Sequence, residues 1–269
     1  MRPFLIFAGV LATTSAQAQG FDTAAFDVRF GSLQGETTGL IGGRMSAETA
    51  WSLSAVGLQL GADVNQLGED AVGNFRAILT RDLSWPVRLG LSAAYATNDG
   101  VQDDAVTFGM HALYRGNGQF LELNLLLPNH IRETGTFSFN IAGEQWVTPK
   151  FSIRTDLYRR STDIEDPDIY TISLKLNYVI TDDWTVFGQG FQTVSDDYDI
   201  KNEGTHLGVA YQMTPATRIA ASLDSVLPQA ADPAVGLTLG LQYDLGGPRD
   251  DSLMYQTAIT HDRFALGAF

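Results

Sequence analysis

Cysteine is absent from all 269 residues, so neither a disulfide nor a thiolate-held metal contributes to the fold. Long hydrophobic runs are missing as well. Beyond the first 19 residues no uncharged apolar stretch approaches the roughly 18 residues that a membrane-spanning helix needs. Positive charge is scarce: 17 Lys and Arg stand against 31 Asp and Glu, a net charge of −14. That balance argues against a nucleic-acid partner and against a basic protein of the membrane surface. The mean hydropathy of −0.03 suits a soluble protein. It suits a strand-built membrane barrel equally, because alternating lipid-facing and lumen-facing residues dilute the average.

What is present begins with a leader pattern. Arg2 gives a positive start, Phe4 to Ala12 an apolar core, and Ala16-Gln17-Ala18 a small-residue cleavage site, the layout of a secretory signal peptide. Nine apolar residues are too few to span a bilayer, which takes roughly 20. Residues 1–19 are therefore expected to be removed, and residues 20–269 to form the folded protein. Arg2 is the one charged residue removed, so 16 basic residues remain against 31 acidic ones.

From residue 50 onward, segments of about ten residues alternate apolar with polar or small, the period of a half-buried strand. Val87, Leu89, Leu91, Ala93 and Tyr95 form one such series. Tyr170, Ile172, Leu174, Leu176 and Tyr178 form another, and Val235, Leu237, Leu239, Leu241 and Tyr243 a third. The connectors fall into two kinds that take turns. Ser84-Trp85-Pro86, Gly116-Asn117-Gly118, Thr148-Pro149-Lys150, Thr181-Asp182-Asp183 and Thr214-Pro215-Ala216 are short and carry turn chemistry. Asn65–Asp70, Asn98–Asp104, Pro128–Glu133, Thr162–Asp168, Asp196–Gly204 and Leu227–Pro233 are longer and mostly acidic. Short periplasmic turns and long outer loops are the asymmetry of outer-membrane barrels. The reading is all-β: a transmembrane antiparallel up-and-down β-barrel.

Trp51, Trp85, Trp146, Tyr178, Trp184, Tyr211 and Tyr243, with Tyr114, Phe120 and Phe151, lie within a few residues of the short turns. They are expected to form an aromatic girdle at one membrane interface. Residues 24–32 and 37–46 read as two weak strands, and twelve more run from 50 to 245. Counting Ser252 to Phe269 as a hairpin gives about sixteen strands, with twelve or fourteen if the tail or the N-terminal pair is not barrel.

The alternation, the connector asymmetry and the terminal Phe269 together resemble the outer-membrane porins of Gram-negative bacteria. The resemblance implies that Phe269 is a C-terminal signal for the barrel-assembly machinery, although Gly267 and Ala265 replace the usual bulky residues. It implies contact with outer-membrane lipid and lipopolysaccharide, and a homotrimer as in many channels of this type. In trimeric porins the third outer loop folds into the lumen; the corresponding Asn98–Asp104 is too short to reach far.

Arg76, Arg88, Arg115, Arg154, Lys175 and Arg218 fall on the polar face, as do Glu122, Glu144, Asp156 and Asp224. Opposed across a wet lumen, such charges set ion preference; paired with one another they merely brace the wall. Catalysis is not expected. None of His111, His130, His206 and His261 has a Ser two residues on, the spacing that puts both on one strand face, though cross-strand pairs stay open. Asp163, Glu165, Asp166 and Asp168, like Asp196, Asp197 and Asp199, read as solvated loops rather than metal sites, lacking EF-hand spacing. The expected function is a porin-like channel for ions and small hydrophilic solutes, without metal or cofactor. A plugged structural or adhesion barrel and a barrel lipid hydrolase are the alternatives.

Overall fold

The computed structural model describes residues 21–34, 39–53, 55–67, 70–84, 86–98, 105–116, 119–130, 137–161, 168–195, 200–228 and 233–245. They form fourteen strands: β1 (Phe21–Gln34), β2 (Gly39–Leu53), β3 (Val56–Leu67), β4 (Asp70–Ser84), β5 (Val87–Asn98), β6 (Ala105–Gly116), β7 (Gln119–His130), β8 (Phe137–Thr148), β9 (Phe151–Ser161), β10 (Ile169–Val179), β11 (Trp184–Ser195), β12 (Ile200–Thr214), β13 (Thr217–Pro228) and β14 (Ala234–Leu245). Each pairs antiparallel with its chain neighbours, and β14 pairs with β1 from Ala24↔Leu245 to Gln34↔Val235, which closes the barrel. The ladder thus closes at fourteen, not at the sixteen that a C-terminal hairpin would have given. The expected leader, the tail from residue 246 with Phe269, and most of the acidic loops lie outside the described residues.

The two expected weak strands are longer than their sequence suggested, because Gly31, Gly39, Gly42 and Gly43 blur an alternation that pairing nonetheless continues through. Strands of 11 to 15 residues are more than long enough to cross a membrane. Eleven residues at about 3.3 Å each, tilted by about 45°, rise roughly 26 Å, the height of an outer-membrane apolar band.

The turns recur in design. Thr148 Oγ1 accepts from Lys150 N at 3.2 Å, Thr181 Oγ1 from Trp184 N at 3.2 Å, and Thr214 Oγ1 from Ala216 N at 3.2 Å. A hydroxyl that satisfies a backbone N–H two or three residues on lets the chain reverse without orphaning that donor. Register shifts occur at Phe21/Thr23, Asp82/Ser84, Trp146/Thr148 and Gln212/Thr214. All four lie at this turn end, the rim where bulges are common.

The alternation sorts into two faces. Outward, Leu58, Leu79, Leu91, Met110, Leu123, Leu174, Leu207, Leu223 and Leu239 are exposed, several of them by 60 % or more. Every strand from β3 to β14 contributes at least one large exposed apolar side chain. A water-soluble monomer rarely shows apolar patches beyond roughly 300–600 Å², whereas this band runs across twelve consecutive strands. Among the described residues, outward charges sit toward the strand ends: Arg81 near the turn end, and Arg159, Lys201 and Glu203 near the loop end. Inward, the buried residues are largely polar: Arg76, Thr80, His111, Glu122, Asn124, Asn140, Ser152, Asp156, Thr171, Ser173 and Asp224.

Candidate functional site

The inner wall is the site to consider, and strand register builds it. Residues paired directly across antiparallel strands share a face. One row runs Arg115, Phe120, Glu144, Arg154, Lys175, Gln189, His206 and Asp224, one residue from each of β6 to β13. The next row toward the loop end runs Leu113, Glu122, Ala142, Asp156, Ser173, Phe191, Gly204 and Val226 on the same strands. Because the strands are tilted, the rows climb. Arg115 lies beside the turn end of β6, whereas Asp224 lies past the middle of β13.

Arg76, Arg88, Arg115, Glu122, Glu144, Arg154, Asp156, Lys175 and Arg218 all occupy inward positions in this register. Of the two arrangements left open by the sequence, opposition across the lumen and pairing along the wall, the register shows the second for several of them. Glu122, Glu144 and Asp156 stand on β7, β8 and β9, between Arg115 on β6 and Lys175 on β10, so much of the charge alternates along one wall. Arg154 Nη2 donates to Asp156 Oδ1 at 3.0 Å, and Ser173 Oγ to Asp156 Oδ2 at 3.3 Å. The Arg154 guanidinium also lies 5.5 Å from the Phe120 ring centre. At the turn-end mouth Arg88 pairs with Asp82 at 2.6 Å. Alternation of polarity finds the inward face, but only register says which strands are neighbours.

A second network was not legible in the sequence. His111 Nε2 lies 2.7 Å from Ser92 Oγ on β5, and His111 Nδ1 lies 2.6 Å from Asn124 Oδ1 on β7. Asn124 Nδ2 donates to Glu122 Oε1 at 3.0 Å and to Asn140 Oδ1 at 3.2 Å. Those acceptors orient the amide so that its oxygen faces His111. His111 therefore carries its proton on Nδ1 and accepts the Ser92 hydroxyl at Nε2. The partner serine is cross-strand, which the two-residue spacing rule could not detect. Glu122 Oε2 is buried and, among the described residues, has no hydrogen-bond partner.

The outward aromatics divide between both ends. Trp51, Tyr114, Phe151, Tyr178, Trp184, Tyr211 and Tyr243 line the turn end, with the Trp184 and Tyr211 rings 4.7 Å apart. Two expected members do not belong. Phe120 pairs with Arg115 and Glu144, and so faces the lumen. Trp146 pairs with buried Ser152, because it continues the inward series of Asn140, Ala142 and Glu144 up to the bulge that follows it. Trp85 lies outside the described residues. A second set, Phe30, Phe75, Tyr95, Phe108 and Tyr170, faces outward in the loop-end half. There Tyr170 packs against Arg159, 5.3 Å from its guanidinium, and Arg159 pairs with Asp168 at 2.7 Å. Aromatic belts at both interfaces are usual for a membrane barrel. The described residues hold no group of three or more side chains suited to a metal ion.

No family model matches the chain, and no curated protein is similar to it in sequence. Solved structures are. The CymD monoaromatic hydrocarbon channel superposes with a TM-score of 0.62 at 9 % identity, covering 85 % of this chain and 89 % of that one. A loop L8 deletion mutant of OmpT, an outer membrane protein of Vibrio cholerae, gives 0.58 at 11 % identity, covering 84 % and 100 %. The anion-selective porin from Comamonas acidovorans gives 0.57 at 10 % identity, covering 83 % and 98 %. The fold is that of membrane β-barrels. At these identities the likeness speaks for architecture alone.

Proposed function

We propose that the protein is an outer-membrane channel through which ions and small hydrophilic solutes diffuse passively, with no covalent chemistry. The observation that carries this reading is the division of one closed sheet into an apolar outer face and a polar, charged inner one. Lipid outside and an aqueous solute path inside account for both faces together. The strand number is compatible with a passage. Fourteen strands about 4.8 Å apart and tilted by about 40° have a perimeter of about 88 Å, hence a backbone radius of about 14 Å for a round section. Side-chain layers of about 5 Å on each wall would leave on the order of 18 Å, which the packed inward groups of β4 to β9, among them Arg76, Glu122 and Tyr158, narrow from one side. The short turns then face the periplasm and the longer acidic loops the exterior. The similarity in fold to a hydrocarbon channel and to an anion-selective porin supports the same assignment.

Reconstitution in a planar bilayer tests it. Stepwise conductance is expected; a folded barrel that inserts and stays silent overturns the channel. A second reading, a barrel hydrolase, is favoured by one observation, the Ser92–His111–Asn124 chain, whose distances suit a nucleophile, a base and its orienting group. Against it, Asn124 also holds Glu122 and Asn140, which makes the chain a strut of the wall, and all three residues face inward, away from lipid. Labelling of Ser92 by a fluorophosphonate would favour the hydrolase.

A further inference from the structure

We infer that the lumen wall over β10 to β13 is a stacking site for ring-shaped solutes that carry a carboxylate, of the sugar-acid class. Phe187 and Phe191 point inward from β11, two residues to either side of Gln189. Their cross-strand partners on β12 are glycines, Gly208 and Gly204. The rings lie directly over those glycines: a β-carbon at Gly208 would meet the Phe187 ring, and one at Gly204 the Phe191 ring. Between the two glycines stands His206, stacked on Phe191 with ring centres 5.8 Å apart and planes 24° apart.

The histidine is fixed in turn. Its Nδ1 donates to Asp224 Oδ1 at 2.6 Å, while Ser222 Oγ and Thr238 Oγ1 donate to the same carboxylate at 3.0 and 2.5 Å. Three rings therefore run along β12 from Gly204 to Gly208, about 13 Å of strand, the outer two seated over glycines and His206 between them. Flat faces of this kind hold the apolar face of a ring. The strip is bordered by groups that suit the ring's edge. Gln189 offers an amide, Asn177 an amide oxygen whose Nδ2 donates to Ser152 Oγ at 3.1 Å, and the Lys175 ammonium lies over one part of the Phe187 ring, 5.5 Å from its centre. Lys175 and its cross-strand neighbour Arg154 contribute positive charge, while the acids of the same wall are engaged, Asp156 by Arg154 and Ser173, and Asp224 by His206, Ser222 and Thr238. A solute with one carboxylate on a hydroxylated ring matches both the faces and the edge.

This inference rests on the channel reading for its biological use but not for its test. Binding of D-glucuronate, D-glucose and acyclic D-gluconate to the folded barrel in detergent is measured by saturation-transfer NMR titration, in parallel with block of single-channel current. Glucuronate is expected to bind about 3- to 10-fold more tightly than glucose, which lacks the carboxylate, and than gluconate, which lacks the ring. The double substitution Phe187→Leu and Phe191→Leu keeps apolar volume but removes the π faces, and should erase the preference over gluconate. Lys175→Gln should reduce glucuronate to the level of glucose. Equal affinity for all three solutes, or unchanged preferences in both variants, overturns the site. A barrel that binds glucuronate selectively yet passes no current retains the site and overturns the channel. One that conducts without discriminating does the reverse.

Discussion

If the outer face of the barrel meets lipid, a charge placed on it should cost free energy according to its depth, and β10 offers the cleanest series. Leu174 is the sixth of the eleven residues Ile169–Val179, faces outward and is 46 % exposed. Leu176 and Tyr178 follow on the same face toward the turn end. Four residues at about 3.3 Å, tilted by about 45°, place Tyr178 about 9 Å nearer the interface than Leu174. Arginine at the bilayer midplane of such barrels costs about 2–4 kcal/mol, falling to about 0–1 near the interfaces. Leu174→Arg should therefore lower the folding equilibrium constant by roughly 30- to 900-fold. Tyr178→Arg should lower it no more than about fivefold, with Leu176→Arg between. Guanidinium titration of the barrel in phospholipid vesicles, followed by tryptophan fluorescence, measures all three. A flat series, with Leu174→Arg as mild as Tyr178→Arg, would mean that this face does not lie in hydrocarbon, and the membrane assignment would fall with it.

Other substitutions probe the wall and its packing. Asn124→Ala removes the partner of His111 Nδ1 and of Glu122 Oε1, and should destabilise the barrel by about 1–3 kcal/mol in the same assay. Asp82→Ala breaks an exposed pair with Arg88 and should cost no more than about 1 kcal/mol. Gly208→Ala places a β-carbon 2.6 Å from Ala221 O and against the Phe187 ring, whereas nothing lies within 4 Å of one at Gly190; the first should lower the denaturation midpoint and the second leave it unchanged. Arg88→Glu together with Arg154→Glu should shift the reversal potential in a salt gradient toward cation preference, and an unchanged potential would show that these residues do not set ion selectivity.

Much of the architecture was legible because a barrel repeats one instruction. Leu89, Leu91 and Ala93 declare a face by period alone, and Thr148-Pro149-Lys150 declares a turn by composition. Sequence reasoning failed where the decisive information lay between strands. Trp146 keeps the inward phase of Glu144, two residues before it, although its nearness to a short turn suggested the girdle. Phe120 sits near a short turn, as the girdle members do, yet faces inward. The Ser92–His111 contact joins residues on different strands, and Phe187 and Phe191 became a strip only once Gly208 and Gly204 were found beneath them. The count of strands depended on which segment completes the ring, a fact that resides in the pairing of Ala24 with Leu245 and in neither residue by itself.

That same seam governs how the protein can come into being. Every other ladder joins consecutive strands and can form as soon as a hairpin is available, but the β1–β14 ladder joins the first described strand to the last. Until β14 exists, the backbone donors and acceptors along β1 that it will pair have no partner within the chain, a state that hydrocarbon does not tolerate and that invites pairing with other chains. Assembly must therefore keep the edge of β1 shielded while twelve further strands are laid down. A chain interrupted before residue 234 would present two unsatisfied edges at once, so the final hairpin converts an aggregation-prone sheet into a structure with no edge at all.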